Sequence, residues 1–485
     1  MIFPKLLIPT ILIALSPQIE PHQTAVARLE KAASAIGARD LRSIEYSGTA
    51  VSYWLGQSPT PNAPWPEAPN NPIGYTALIN YETSSRRLEK VRGQGGRERR
   101  GVQAVVERVA WDEIGAIVRP AAFAADERWL QIWVTPHGFV QAGLSSNPRL
   151  VAEASGIAPS TEISFLLNEK FHVRGWIDSQ NLVRQVDTWI GDSEGYFGVM
   201  GDLLIETFYS EYQEFQGFRF PTRIVQNWGG YPFMEITVEE VVRNPPVDIQ
   251  VPDSIREGTA EPFPFTAQIE PLAEGVWYLT GTLWHSIAVE FDKHLVVIEA
   301  PFSQDRSIAV INELQRTVPG KPIKYVINTH HHFDHSGGLR VYAAHGATII
   351  THEINRQFFE QAFSAPRTLV PDLLARSGMR LELHTFSDEL VLADETRTLE
   401  LYHLSGSQHA TGMVMAYLPA EKLLIEADVF NPPPPGTPIP SPLDPEVLNL
   451  VRNIQVRSLN VEQIVPLHGQ PVAMADLLKA SGPEK

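Results

Sequence analysis

The run Thr329-His330-His331-His332-Phe333-Asp334-His335-Ser336-Gly337-Gly338 gathers His330, His332, Asp334 and His335 on one short turn. Imidazole nitrogens and carboxylate oxygens are the donors that Zn²⁺ prefers. In an extended segment, alternation sends the His330 and His332 rings to the same side, while Asp334 and His335 face a second position. His331 points the other way, which gives it a solvated or loop-packing role. The elements that must hold this turn flank it directly. Lys324-Tyr325-Val326-Ile327-Asn328 is apolar and β-branched, as in a buried strand that delivers a loop at its carboxyl end. Gly337 and Gly338 permit a tight path into Leu339–Ala344, which reads as a helix.

His-x-His-x-Asp-His followed by Gly-Gly resembles the signature of the metallo-β-lactamase-fold hydrolases, and matching segments follow downstream in the right order. Ser405-Gly406-Ser407-Gln408-His409-Ala410-Thr411-Gly412 is similar to the family's third-histidine loop. Ile425-Glu426-Ala427-Asp428-Val429-Phe430 is similar to its bridging-aspartate segment, and Val465-Pro466-Leu467-His468-Gly469 to its last histidine. Ala427 departs from the glycine that relatives often carry. The resemblance runs from about Ala267 to the C-terminus and rests on several motifs at once.

The resemblance implies a first zinc held by His330, His332 and His409, a second held by Asp334, His335 and His468, and Asp428 bridging the pair. Iron or manganese are the alternative occupants. Three neutral imidazoles leave a metal with an open, Lewis-acidic position, as catalytic sites require. A water between two such cations ionises near neutral pH, with a pKa of roughly 7. The implied reaction is attack of that water on an ester, thioester, lactone or lactam, with Asp334 as the catalytic residue that orients it or passes its proton. The second ion would hold the departing anion. An aspartate at the bridging place makes the set resemble glyoxalase II-type thioesterases and lactonases. A lactonase-like tyrosine is absent, because the position three residues after Asp428 is Asn431.

The chain has 485 residues, no cysteine and a formal net charge of -17. That length suits two or three domains. The acidic balance disfavours nucleic-acid partners, so a small molecule is the expected substrate. The missing cysteines exclude disulfides, a thiol nucleophile and a lipoprotein anchor, and with them the family subclass that places a thiolate on its second zinc. Leu6–Leu15 is an apolar run behind Lys5 and ahead of Ser16-Pro17-Gln18, the outline of a signal peptide. It is too short to span a bilayer, which takes roughly 20 residues. The expectation is therefore a periplasmic or secreted protein with no stable membrane insertion of the mature chain, or a cytoplasmic one if the leader is not cleaved.

The expected fold is α/β (α+β), a C-terminal αββα sandwich behind a β-rich N-terminal domain. Residues 1–27 are read as leader, 28–255 as accessory domain, 256–266 as linker and 267–485 as catalytic domain. Thr24–Gly37 has helical spacing, with Ala27, Leu29, Ala32, Ala33 and Ile36 on its weakly apolar side. Ile44–Gly48, Gln131–Val134, Leu182–Trp189 and Phe233–Val238 alternate as strands do. The Pro- and Asn-rich stretch Gly56–Pro72 reads as a surface loop. The phrase Gly217-Phe218-Arg219-Phe220-Pro221-Thr222-Arg223-Ile224 and its strand rhythm resemble periplasmic lipoprotein-carrier-like domains, which implies an apolar ligand in the N-terminal half. In the second half, Gly275–Leu279, Ser286–Phe291 and His294–Glu299 read as strands and Arg306–Thr317 as a helix. The excursion Phe430–Pro442 is proline-rich and is expected to wall the mouth of the site.

Two other readings remain open at this point. One is an iron-dependent sulfur dioxygenase of the same fold, disfavoured by the complete second-metal set. The other is a carrier protein for an apolar ligand whose metal domain is secondary.

Overall fold

A computed structural model of the chain describes residues 21–94, 97–154, 160–191, 198–262, 265–432 and 443–482. Most of the leader segment and the bulk of the proline-rich excursion fall outside these residues. The N-terminal half is built on a 13-stranded antiparallel sheet. Two sequential meanders are joined where Ser43–Ser52 pairs with Tyr231–Arg243. Helix Pro21–Ile36 lays Ala25, Leu29, Ala32, Ala33 and Ile36 against this sheet, whereas Ala27 lies on the helix's exposed side.

One strand expectation fails. Gln131-Ile132-Trp133 is the end of helix Ala125–Trp133, and Val134 is its C-cap. The buried Ala125, Arg128, Trp129 and Ile132 repeat at helical spacing, and Asp126 and Glu127 sit in the first turn, where the helix dipole favours acids. Four residues were too short a window to separate the two periods.

The C-terminal half contains a 7-stranded and a 6-stranded sheet. Strand Leu295–Ile298 shows how they stack. Val296 and Ile298 face a core shared with Leu401, Val414, Ile425 and Ile464 of the second sheet. Leu295 and Val297 face the opposite core with Val310 and Leu314 of helix Gln304–Thr317, the period-two division expected of a strand buried on both faces. The mixed α/β architecture with a β-rich N-terminal region is as expected.

The halves are not merely tethered. One hydrophobic cluster includes Phe165 and Ile205 from the first half and Leu339 and Phe359 from the second. Polar contacts reinforce it: Asp202 accepts from the Thr368 backbone N–H at 2.7 Å and from its hydroxyl at 2.6 Å, and Arg367 donates to the Gly198 carbonyl at 2.9 Å.

His137 sits in this fold as a buried neutral imidazole, 0% exposed, stacked on Phe220 with ring centroids 5.7 Å apart and bonded to the Ile36 carbonyl at 3.0 Å. Burial pushes its pKa down to about 4, against the weaker upward pull of that hydrogen bond. The unfolded chain takes up this proton near pH 6.5, before the folded chain does, so stability is present above that value and drains away as pH falls toward 4. The loss is roughly 2 kcal/mol by pH 5. In His137→Phe the fall in unfolding free energy between pH 7 and pH 5 is expected to shrink by about that amount, read from urea titrations; an unchanged pH slope contradicts the assignment.

Candidate metal centre

Strand register explains why distant residues meet here. Leu295–Ile298 and Ile323–Ile327 run parallel with Ile298 opposite Ile327. Glu299 and the 328–335 turn therefore leave the sheet at the same edge. Leu423–Glu426 and Gln463–Pro466 are also parallel with Glu426 opposite Pro466, so Asp428 and His468 each emerge two residues beyond a registered pair. The turn itself packs tightly: a Cβ on Gly338 would lie 2.0 Å from the Ser307 hydroxyl oxygen, which accounts for the paired glycines.

All the residues singled out from the sequence converge. The donor atoms of His330, His332, His409 and Asp428 lie within 4.8 Å of one another, as do those of Asp334, His335 and His468. Asp428 touches both groups: its Oδ2 is 3.3 Å from His330 Nε2, 3.2 Å from His409 Nε2 and 2.8 Å from His335 Nε2, while Oδ1 is 3.0 Å from His468 Nε2. Burial alone would raise the Asp428 pKa; His335, and then His330 and His409, all close to its Oδ2, outweigh it and hold the carboxyl well below its usual range. Asp428 also has a left-handed backbone, φ 62°, a conformation unfavourable for a residue with a Cβ. The buried Glu426 carboxylate accepts the Val429 and Phe430 N–H groups at 3.2 Å each and so supports that turn. Burial, and then the charge of Asp428, push Glu426 up to about 8.

The imidazoles are oriented from behind. The Thr329 hydroxyl donates to Glu299, so its oxygen accepts from His330 Nδ1 at 3.0 Å. His332 Nε2 donates to the Ser58 carbonyl at 2.9 Å, His335 Nδ1 to Glu299 at 3.0 Å, and His468 Nδ1 to the Leu283 carbonyl at 3.0 Å. Each of these bonds fixes a tautomer whose other nitrogen carries a lone pair directed inward. His330 Nε2, His332 Nδ1 and His409 Nε2 are buried without a hydrogen-bond partner. Buried polar atoms left in this way are expensive unless something else satisfies them, and three neutral nitrogens converging beside a carboxylate make a donor set that fits a zinc-like cation.

Two residues of the Gly56–Pro72 segment reach this site, so the segment is more than a surface loop. Gln57 Nε2 donates to Asp334 Oδ1 at 2.7 Å, and Trp284 Nε1 to Oδ2 at 3.1 Å. Ser58 takes the His332 proton through its carbonyl and contacts His331 Nε2 through its hydroxyl at 3.2 Å. Gly56 has φ 73° and packs so close to the Phe333 ring that an added Cβ would lie 2.3 Å from it. His331 is accordingly a buried loop-packing residue, 1% exposed, rather than a solvated one. His352 and His403 lie outside the site, their ring centroids 4.0 Å apart and their planes tilted by 33°. Gln57, Ser58, Trp284, Glu299 and Thr329 gave no signal in the sequence, because nothing local marks a residue that acts by hydrogen-bonding to one of the clustered histidines or to Asp334.

Gln57→Ala should leave the fold intact and weaken metal retention at the Asp334 end by about 10-fold or more, the usual size of an orienting contact. Competition with a chromogenic chelator checks this, and unaltered retention of both ions rules it out.

The family model of the metallo-beta-lactamase superfamily matches residues 285–468. Among curated proteins, the chain is 29% identical over 165 residues to 2,4-dinitroanisole O-demethylase subunit alpha of Nocardioides sp. (strain JS1661), covering 34% of this chain and 47% of that protein. The chain thus spans about half the length of that relative. Solved structures with similarity include a metallo-beta-lactamase from Pontibacter korlensis, at 22% identity and TM-score 0.33, covering 44% of this chain and 96% of that one. Another is a metallo-beta-lactamase from Hirschia baltica, at 16% identity and TM-score 0.34, covering 45% and 100%.

Proposed function

We propose that the protein is a dinuclear metal-dependent hydrolase acting on an ester, thioester, lactone or lactam, a reading supported by the match of residues 285–468 to the metallo-beta-lactamase superfamily model. The observation that supports this most is the inward convergence of unpartnered imidazole nitrogens around Asp428. His330, His332 and His409 would hold one ion, Asp334, His335 and His468 the other, and Asp428 both. Bound there, a zinc pair supplies Lewis acidity and a water that ionises near neutral pH. The chain's own contribution is positional. Glu299 and Thr329 set the His335 and His330 rings, Ser58 sets His332, and Gln57 and Trp284 aim the Asp334 carboxylate at the place where a proton must be accepted. Export to the periplasm or medium remains part of the proposal and rests on the N-terminal apolar run alone.

The named activity of the Nocardioides relative adds one specific candidate, cleavage of an aryl methyl ether. The test is metal analysis of the full-length protein together with a panel of chromogenic ester, thioester, lactone, β-lactam and 2,4-dinitroanisole substrates. Two zinc ions per chain, with turnover lost to a chelator and restored by zinc, are expected. One iron per chain with oxygen consumption would replace the hydrolase by a dioxygenase, and a metal-free protein would end both readings.

A further inference from the structure

The N-terminal sheet and helix Ala125–Trp133 enclose a cavity of about 260 Å³, separate from the metal centre. Its wall is largely apolar, with Tyr46, Phe220, Ile224 and Ile236 among the lining residues. Charge is the unusual part. Strand Ser85–Gln94 places Arg86, Leu88 and Lys90 on one face by alternation, and all three line the cavity. Arg86 is 5% exposed; its Nη2 donates to the Tyr75 hydroxyl at 3.2 Å, and its Nε has no partner. Neither Arg86 nor Lys90 forms an ion pair among the described residues. Arg128 on the same wall does, with Asp112 at 2.6 Å. Glu127 is the remaining lining acid. Three cations against two carboxylates leave the wall one positive charge in excess.

A buried guanidinium without a counter-ion is unfavourable, and an anion brought to it in a low-dielectric enclosure is held strongly. Guanidinium geometry matches a carboxylate in particular. An apolar engineered cavity of about 150 Å³ accepts benzene, so this larger one has room for a hydrocarbon body as well as a head group. We propose that the cavity is a binding site for an amphipathic monocarboxylate, its apolar body among Tyr46, Phe220 and Ile224 and its carboxylate between Arg86 and Lys90. Burial lowers the Lys90 pKa to about 8, which is consistent with a cation that lacks a nearby counter-charge. The site stands whether or not the metal centre proves to be a hydrolase.

The test is calorimetric titration of the metal-replete full chain with decanoate and with 1-decanol, which share a body and differ in charge. Decanoate should bind at least 10-fold more tightly than decanol. Arg86→Met should weaken decanoate at least 10-fold and bring the two probes within about 3-fold of each other, and Lys90→Met, at a less buried position, should do the same in part. Because zinc also attracts carboxylates, decanoate affinity must survive in Asp428→Ala. Equal binding of acid and alcohol, affinity unaffected by both cavity substitutions, loss of binding in Asp428→Ala, or no decanoate binding at all overturns the proposal.

Discussion

Asp428→Ala is expected to abolish retention of the metal pair and to lower turnover by about 10³-fold or more, comparable with removing a principal charge-stabilising group from an enzyme site. The reason is geometric: Asp428 contacts His330, His335, His409 and His468 through its two oxygens, and so reaches both donor groups from one carboxylate. Alanine also lacks the charge that holds four imidazoles together, so the rings would repel or reorient. The left-handed backbone at 428 makes a glycine variant the better stability control, since Asp428→Gly relieves strain while deleting the same ligand. If both variants fold, retain two ions per chain by mass spectrometry and turn over normally, the centre is wrongly assigned.

Glu299→Gln should have the next largest effect although Glu299 lies behind the clustered histidines. It is fully buried and accepts from the Thr329 hydroxyl, from His335 Nδ1 at 3.0 Å and from Asn328 Nδ2 at 3.2 Å. A carboxylate can accept all of these bonds, whereas an amide presents two donors among donors. At least one buried N–H or O–H would be left unmatched, worth about 1–3 kcal/mol of stability, and His330 and His335 would lose their fixed tautomers. Metal affinity is expected to fall 10- to 100-fold, measured by competition, with a lower thermal midpoint in the metal-replete protein. A midpoint that drops while affinity holds would show that Glu299 supports the fold alone.

The cluster of seven donor side chains was legible in the sequence because it is written in short local strings: a turn of four donors, and single residues beside glycine or at the end of apolar strands. Strand identity was legible for the same reason wherever alternation persisted, as in Leu295–Ile298. What stayed hidden acts across the chain. Gln57 lies 277 residues from the Asp334 it orients, and Ser58 274 from His332; a Pro- and Asn-rich stretch looks like any surface connection until its packing partner is known. Glu299 was read only as the end of a strand, since parallel register, not local spacing, brings it beside Asn328 and Thr329. The misread strand at Gln131–Val134 has the same origin, a pattern too brief to outweigh the helix formed by the residues before it.

The insertion of Gly56, Gln57 and Ser58 beneath the histidine turn bears on how such a chain is inherited. A recombination event that carried off only the C-terminal half would transmit all seven clustered donors yet leave behind the carbonyl that orients His332 and the amide that aims Asp334. The two halves are therefore expected to diverge in step, and grafting either onto a foreign neighbour should demand a replacement for that one short loop before anything else.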